Sequence, residues 1–371
     1  MVPNLRFEKF NNNWSRTTIS KVCVCNPKNE DKLDDEFIYI DLESVEKGVL
    51  KSKNIIHLKN APSRAQRILY KNDILFQSVR PYQRNNYLLN EDDDFLQYVA
   101  STGYIQLRTT LNPYFLFQLL NTDKINNEVM LRCTGTSYPA INSNDFSNIL
   151  ITITNDRNEQ NKIAKFFSLI EERIQTQIKI INDYKILKNH IIKSYIKQNG
   201  TSYLLSEIAE LGRGRVINSA EISKQKNPIY PVYSSQTSNN GIMGYLDNYD
   251  YEANYITWTT DGANAGTVYY RNGKFNCTNV CGILKIKNGY DAYYISNILN
   301  CYTKKYVSTN LANPKLMNNV MANIKINLPS IEQQKHSSKI LQSIEYRVEI
   351  EEDIKLNLVK QKAFLLKNMF I

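Results

Sequence analysis

Two stretches of the chain carry apolar residues at alternating steps of four and three. The first runs through Ile163, Phe167, Ile170, Ile174, Ile181, Tyr184, Ile191 and Tyr195, with Gln177 and Lys188 as polar intrusions. The second runs through Leu341, Ile344, Val348, Leu358, Leu365 and Met369, with Glu351, Lys355 and Lys362 intruding. A narrow apolar seam held over several turns is the pattern of a coiled-coil helix. Asp156 stands three residues before Glu159, and Ser330 three before Gln333, each at capping-box spacing. Pro329 and Gly200 lie just outside as stops. Each stretch predicts a helix of about 40 residues, about 60 Å long at 1.5 Å per residue. Alone, such a helix leaves its stripe in water. Two partners are open to it: the other helix, most simply antiparallel, or the core of its own module.

The segments before each helix read differently. Phe37–Ile40, Asp73–Phe76 and Ile105–Leu107 read as short strands, as do Tyr230–Tyr233, Asn254–Trp258, Thr267–Tyr270 and Ile283–Ile286. They are rich in β-branched and aromatic residues and bounded by Gly, Asn and Asp. Arg271-Asn-Gly-Lys274 predicts a hairpin turn. One short helix is expected in each module, at Pro113–Asn121 and Ala292–Asn300. Trp14, Trp258, Tyr114 and Tyr293 are assigned to the core. The fold class is α+β.

The chain repeats itself. His190-Ile-Ile-Lys-Ser-Tyr-Ile196 reads against Phe364-Leu-Leu-Lys-Asn-Met-Phe370, an offset of 174, and Ile170-Glu-Glu-Arg-Ile174 meets Ile344-Glu-Tyr-Arg-Val348 at the same offset. Pro113-Tyr-Phe-Leu-Phe-Gln-Leu-Leu-Asn121 reads against Ala292-Tyr-Tyr-Ile-Ser-Asn-Ile-Leu-Asn300 at an offset of 179. The chain is thus a tandem of two modules, each followed by a long helix: residues 1–155, helix 156–199, residues 200–329 and helix 330–371. Upstream, the two copies match far less well.

Composition narrows the partners. The 371 residues carry 46 Lys and Arg against 36 Asp and Glu, a net charge of +10. That excess favours a polyanion, nucleic acid or an anionic membrane. No apolar run is long enough to span a bilayer, and the first residues lack a signal peptide's apolar core, so a cytoplasmic protein is expected. The six cysteines lack the paired CxxC spacing of a zinc site, and the three histidines fall outside ligand spacing, so no metal is expected. Reduced thiols are the expectation.

Enzyme motifs fail on inspection. Asn227-Pro-Ile-Tyr230 resembles the Asn/Asp-Pro-Pro-Tyr box of amino-methyltransferases, but Ile stands where the second Pro belongs. Gly212-Arg-Gly214 lacks the third glycine of a dinucleotide fingerprint, and no phosphate-binding GxxxxGK[ST] loop exists. The acidic run at 91–94 reads as a solvated turn more readily than as a cation site. Loops are more promising. Tyr233-Ser-Ser-Gln-Thr-Ser-Asn-Asn-Gly241 offers amides and hydroxyls suited to phosphates or base edges. At Arg213-Gly-Arg215 a glycine would let the backbone approach a ligand, and Val79-Arg-Pro-Tyr-Gln-Arg84 is a basic, aromatic turn.

The duplicated tails resemble a known family, the specificity subunits of Type I restriction–modification systems. The resemblance rests on Ser147-Asn-Ile149, on Glu159-Gln-Asn-Lys-Ile-Ala-Lys-Phe-Phe-Ser-Leu-Ile-Glu-Glu-Arg-Ile174 and on the copy Leu328-Pro-Ser-Ile-Glu-Gln-Gln-Lys335. Pro231-Val-Tyr-Ser-Ser235, Gly241-Ile-Met-Gly-Tyr245 and Asp261-Gly-Ala-Asn-Ala-Gly266 are similar to blocks in its target-recognition domains. The second copy departs from the usual Lys-Ile-Ala with Lys335-His-Ser337. The resemblance implies two target-recognition domains reading a bipartite, gapped double-stranded DNA target, with the helix pair as an antiparallel coiled-coil spacer of pseudo-twofold symmetry. It implies no catalysis and no cofactor in this chain. Two adenine-methylating subunits that bind S-adenosylmethionine, and restriction subunits that use ATP and Mg, would be the partners. Contacts to DNA are expected from Arg64, Arg80, Gln83 and Arg84 in the first module. In the second they are expected from Arg213, Arg215, Ser235, Gln236, Asn239, Lys304 and Lys305. Arginine suits guanine edges, and Gln or Asn suits adenine. Competing readings are a DNA-binding coiled-coil scaffold without sequence preference, and a methyltransferase or nuclease in its own right.

Overall fold

A computed structural model describes residues 2–90, 95–197, 200–308 and 313–371, and the acidic run at 91–94 lies outside them. The chain divides into two compact units, residues 1–178 with 353–371, and residues 179–352. The long helices are Arg157–Ile196 and Ile331–Met369, and each contributes to both units.

In the first unit one sheet orders Asn54–His57, Glu36–Ile40, Gln97–Ser101 and Ala65–Leu69 side by side; of these, only the strands Glu36–Ile40 and Gln97–Ser101 run parallel. A second, antiparallel sheet orders Cys23–Cys25, Tyr104–Thr109, Ile74–Gln77 and Tyr87–Leu88. Ile38, Ile40, Leu75, Tyr98 and Tyr104 pack between strands of the two sheets. A larger core joins Trp14, Ile19, Phe115, Leu116, Phe167 and Phe370. The Phe370 ring sits 5.4 Å from Phe115 and 5.9 Å from Phe167.

In the second unit an antiparallel sheet orders Ala209–Arg213, Cys281–Ile286, Tyr255–Thr259 and Val268–Arg271. A smaller sheet orders Ile242–Leu246, Tyr230–Tyr233 and Asn276–Cys277. Trp258 is fully buried and its indole N–H donates to the Leu316 carbonyl at 2.9 Å. Gly282 makes room for that ring, since a Cβ there would lie 2.2 Å from it. Cys23, Cys277 and Cys281 are buried thiols, whereas Cys301 is exposed.

The expected strands and the two short helices, Pro113–Leu120 and Ala292–Tyr302, are present to within a few residues. The expected hairpin at Arg271–Lys274 is not. Gly273 turns the chain at φ +90°, but the next strand, Asn276–Cys277, leaves for the other sheet and pairs in parallel with Tyr230–Tyr233. An Asn-Gly turn permits a hairpin; here the better burial of Phe275 and Cys277 under Tyr233 and Tyr251 decides otherwise.

Both units open alike, in a way the sequence conceals. Ser15–Thr18 pairs antiparallel with Leu150–Ile153, and Thr201–Leu204 pairs antiparallel with Lys325–Leu328. A one-turn helix follows, Ile19–Val22 or Leu205–Ile208, and then an edge strand. Thr17-Thr-Ile-Ser-Lys-Val22 and Tyr203-Leu-Leu-Ser-Glu-Ile208 share only the serine and the burial of Ile19, Val22, Leu205 and Ile208.

Each long helix is then locked to its short helix by one glutamine. The Gln160 carbonyl oxygen accepts from the Asn112 N–H at 2.9 Å, and its amide donates to the Thr154 carbonyl at 2.9 Å. Gln334 repeats this with the Asp291 N–H at 3.0 Å and the Pro329 carbonyl at 2.9 Å. Asn112 and Asp291 cap the short helices, accepting from Phe115 and Tyr294. The long-helix caps differ. Ser330 and Gln333 form a reciprocal capping box, at 3.4 and 3.2 Å. Asp156 caps the other helix, but the Glu159 carboxylate turns away to Arg6, at 2.6 and 2.9 Å, and is fully buried there.

Of the seam residues, Ile163, Phe167, Ile174, Ile181, Leu341, Ile344, Leu358 and Met369 are buried. Ile170, Val348 and Leu365 are half-buried, and beside Ile191 it is Ile192 that lies deepest. Two of the polar intrusions, Lys362 and Lys188, find carboxylates across the helices. In the first unit the Lys362 ammonium donates to Glu171, and in the second Lys188 donates to Glu345. Lys185 also reaches Glu352 at 2.7 Å. In the first unit the early half of the first helix meets the late half of the second, and in the second unit the late half of the first meets the early half of the second.

Candidate nucleic-acid interface

In the first unit the turn Arg80–Arg84 is held by its backbone. Pro81 starts a 3-10 turn through Gln83, and both flanking arginines adopt left-handed conformations, φ 54° and 55°. Left-handed backbone at non-glycine residues is strained and needs support. The support is local. The Arg80 N–H donates to the Pro139 carbonyl at 2.8 Å, and its guanidinium stacks on Tyr138 at 4.4 Å. Buried Gln77 donates to the Gln83 side chain at 2.7 Å and accepts from the Asn85 N–H at 2.9 Å.

The turn forms one wall of a cleft of about 940 Å³. Arg64, Arg80 and Gln83 line it together, joined by Lys47, Lys51 and Asn85. Glu43 and Glu46 are the carboxylates on its wall, yet among the described residues none of the four cations is ion-paired. Four unpaired cations over a polar cleft attract phosphate. Arg84 does not join them. It turns away from this cleft and pairs with Asp123 at 2.7 Å. Lys47, Lys51 and Tyr138 escape sequence reasoning because they come from separate loops, with no local pattern to mark them.

In the second unit the predicted residues separate. Arg215 forms ion pairs with Glu221 at 2.6 Å and Asp250 at 3.0 Å, and the Glu221 carboxyl is held below its usual range by that bond. Its charge is therefore spent internally. Arg213 donates to the Asn318 side chain at 3.1 Å and stays exposed. Gly214 between them does approach something closely, but it is backbone: a Cβ would lie 2.0 Å from the Cys277 carbonyl oxygen. This glycine serves the fold rather than a ligand. The Lys304 ammonium donates to the Ala265 carbonyl at 3.0 Å, and Lys305 is exposed.

The loop from Ser234 to Gly241 is closed by its own bonds. The Ser234 N–H donates to the Gly241 carbonyl at 2.9 Å, the Gln236 amide donates to the Ile242 carbonyl, and Asn264 donates to Thr237 at 3.0 Å. Asn239, Asn240 and Gly241 all have positive φ, which presents residues 237–240 to solvent. Ser235 sits half-buried at the base. Beneath the loop lies Arg271, which the sequence reading assigns only to a turn. It is 3% exposed and sandwiched between Tyr233 at 3.5 Å and Tyr269 at 4.3 Å. It donates to Thr257 at 3.1 Å and to the Asn240 carbonyl at 2.9 Å. Burial lowers its pKa, and among the described residues no carboxylate pairs with it. Cation–π contacts supply the compensation instead. Tyrosines at 233 and 269 with an arginine at 271 are the only sequence signal, and it is too generic to read.

Among the described residues no group of three or more His, Cys, Asp or Glu could hold a metal, and no helix is long and apolar enough to cross a membrane.

Residues 199–361 match the family model described as Type I restriction modification DNA specificity domain. A Mycoplasma pneumoniae chain described as the N-terminus of a type I specificity subunit is 42% identical over 142 residues, 38% of this chain and 75% of that one. The MpnII type I restriction enzyme specificity subunit of the same organism is 38% identical over 172 residues, 46% of this chain and 51% of that one. Another M. pneumoniae relative, again a type I specificity subunit, shares 36% identity over 43% of each chain, so this chain matches less than half of that relative's length. In structure, the type I S subunit from M. genitalium superposes with a TM-score of 0.65 at 17% identity, covering 100% of this chain and 99% of that one. A chain from a study of complex assembly and conformational transition of the type I R-M system gives 0.60 at 19%, over 97% and 98%. The fold is that of these S subunits, and the chain belongs to the type I restriction–modification specificity subunit family.

Proposed function

We propose that the protein is the non-catalytic DNA-reading subunit of a Type I restriction–modification complex and recognises a bipartite, gapped target. Each unit reads one half-site: the first through the cleft of Lys47, Lys51, Arg64, Arg80 and Gln83, the second through the Ser234–Gly241 loop with Arg213 and Lys305. The two long helices pair antiparallel as a coiled-coil spacer that sets the gap. Two methyltransferase subunits supply S-adenosylmethionine chemistry, restriction subunits supply ATP- and Mg-dependent cleavage, and the complex works in the cytoplasm. The observation that carries this reading is the repeated architecture, in which one frame presents two unlike polar surfaces. A scaffold without sequence preference needs no such divergence.

The test is a genome-wide map of N6-methyladenine with and without this gene. Loss of one gapped, two-part methylated motif on deletion is the expected outcome. An unchanged methylome in cells that express active methyltransferase partners overturns the proposal.

A further inference from the structure

The ion pairs between the long helices are themselves a duplication. Glu171 and Glu345 stand 174 residues apart, and so do Lys188 and Lys362. The chain therefore builds the same Glu–Lys pair twice, Glu171 with Lys362 in one unit and Glu345 with Lys188 in the other. A tyrosine attends each pair. The Tyr293 hydroxyl donates to Glu345, and its counterpart Tyr114 lines one cavity with Glu171 and Lys362. Both lysines are mostly buried, 21% and 23% exposed, while Glu171 is 26% and Glu345 42% exposed. The third cross-helix pair behaves differently. Lys185 and Glu352 are half exposed, and the positions 174 residues from them hold Val359 and Ile178. Only the pair whose lysine is sheltered is present in both copies.

Position explains why. An apolar seam tolerates a slip of one heptad, because Ile and Leu replace each other with little loss. A sheltered charge does not, since losing its partner leaves it desolvated and alone. In the first unit a seven-residue slip sets Lys362 against Ile178 or Ala164. In the second it sets Glu345 against Ile181 or Tyr195. Either slide leaves Lys362 unpaired in the seam of the first unit; in the second, one slide sets Lys188 against Ser338 and the other sets it against Glu352. We infer that the duplicated Tyr–Glu–Lys clusters, Tyr114–Glu171–Lys362 and Tyr293–Glu345–Lys188, are the register lock of the long helices and so determine the gap in the DNA target. The last step rests on the proposed function; the register itself does not.

The test removes the lock without leaving a lone charge. Lys188, Glu345, Glu171 and Lys362 are all changed to Leu in the full chain, which keeps the seam continuous and folded. Register is read by cross-linking. Lys185→Cys with Glu352→Cys bridges the parent register, and Ile192→Cys with Glu352→Cys bridges only a seven-residue slip. The parent chain is expected to cross-link only through the first pair, and the four-leucine chain through both. Exclusive parent cross-linking in the four-leucine chain overturns the inference. Methylation mapping with the cognate methyltransferase gives the second readout: the four-leucine chain is expected to methylate the same half-sites at more than one gap. A charge-swapped parent chain, Lys188→Glu with Glu345→Lys, keeps a paired charge in that seam and is expected to retain the single parent gap. Slipped cross-links with one unchanged gap overturn the ruler reading and leave the lock standing.

Discussion

Arg271 and Arg6 show how one buried cation can organise its surroundings. Arg271 lies between two tyrosine rings and holds the Asn240 carbonyl where consecutive left-handed residues turn the loop outward. Arg271→Gln removes the stack and most of the bonding reach. It is expected to lower stability by about 2 kcal/mol and to weaken recognition at the second half-site alone, measured by urea unfolding and by binding to targets mutated in one half. Arg6 is the only described ion partner of fully buried Glu159. Arg6→Ala leaves that carboxylate desolvated, a loss of about 3–5 kcal/mol, whereas Arg6→Ala combined with Glu159→Gln is expected to recover part of it. Chemical denaturation of the three chains checks both values.

Among the elements, the glutamine locks make the strongest claim. Gln160 and Gln334 satisfy a short-helix N–H and a carbonyl just before the long helix, groups that no helix can satisfy itself. Gln160→Ala and Gln334→Ala should each cost about 1–3 kcal/mol, and nearly the same amount, because the geometry is duplicated. Unequal losses in urea melts would mean the two locks are not equivalent. The caps carry no such symmetry. Ser330→Ala breaks a reciprocal box, but Glu159 answers to Arg6 rather than to its own helix, so the two N-termini differ in what holds them.

For the whole molecule the balance of charge matters most. The excess of +10 is distributed unevenly, with Arg84, Arg108 and Arg215 neutralised internally and, among the described residues, Lys47, Lys51, Arg64 and Arg80 left without an ion pair. DNA affinity should therefore fall steeply with salt. Replacing any one of the four by Ala is expected to flatten the slope of log affinity against log salt by about 0.9 if it contacts a phosphate. Arg80→Ala should in addition relax the sequence preference at one half-site and leave the other untouched. A fluorescence titration at several salt concentrations, on targets with either half scrambled, checks both outcomes.

What the sequence determined by itself is everything that repeats along a line: the two long helices, the duplicated tails, the short helices, most strands and the family resemblance. Periodicity and turn chemistry are local, and a helix seam declares itself in the residues of one segment. Tertiary structure decided the rest. It sent the strand after Gly273 to another sheet, turned Arg84 and Arg215 toward carboxylates, gave Gly214 to backbone packing, and placed Arg271 under its loop. It also made Lys188 and Lys362 partners of Glu345 and Glu171, where the pattern showed only interruptions. Each of these depends on which distant residue supplies the missing charge, ring or hydrogen bond, and that pairing is set by the packed chain rather than by spacing within a segment.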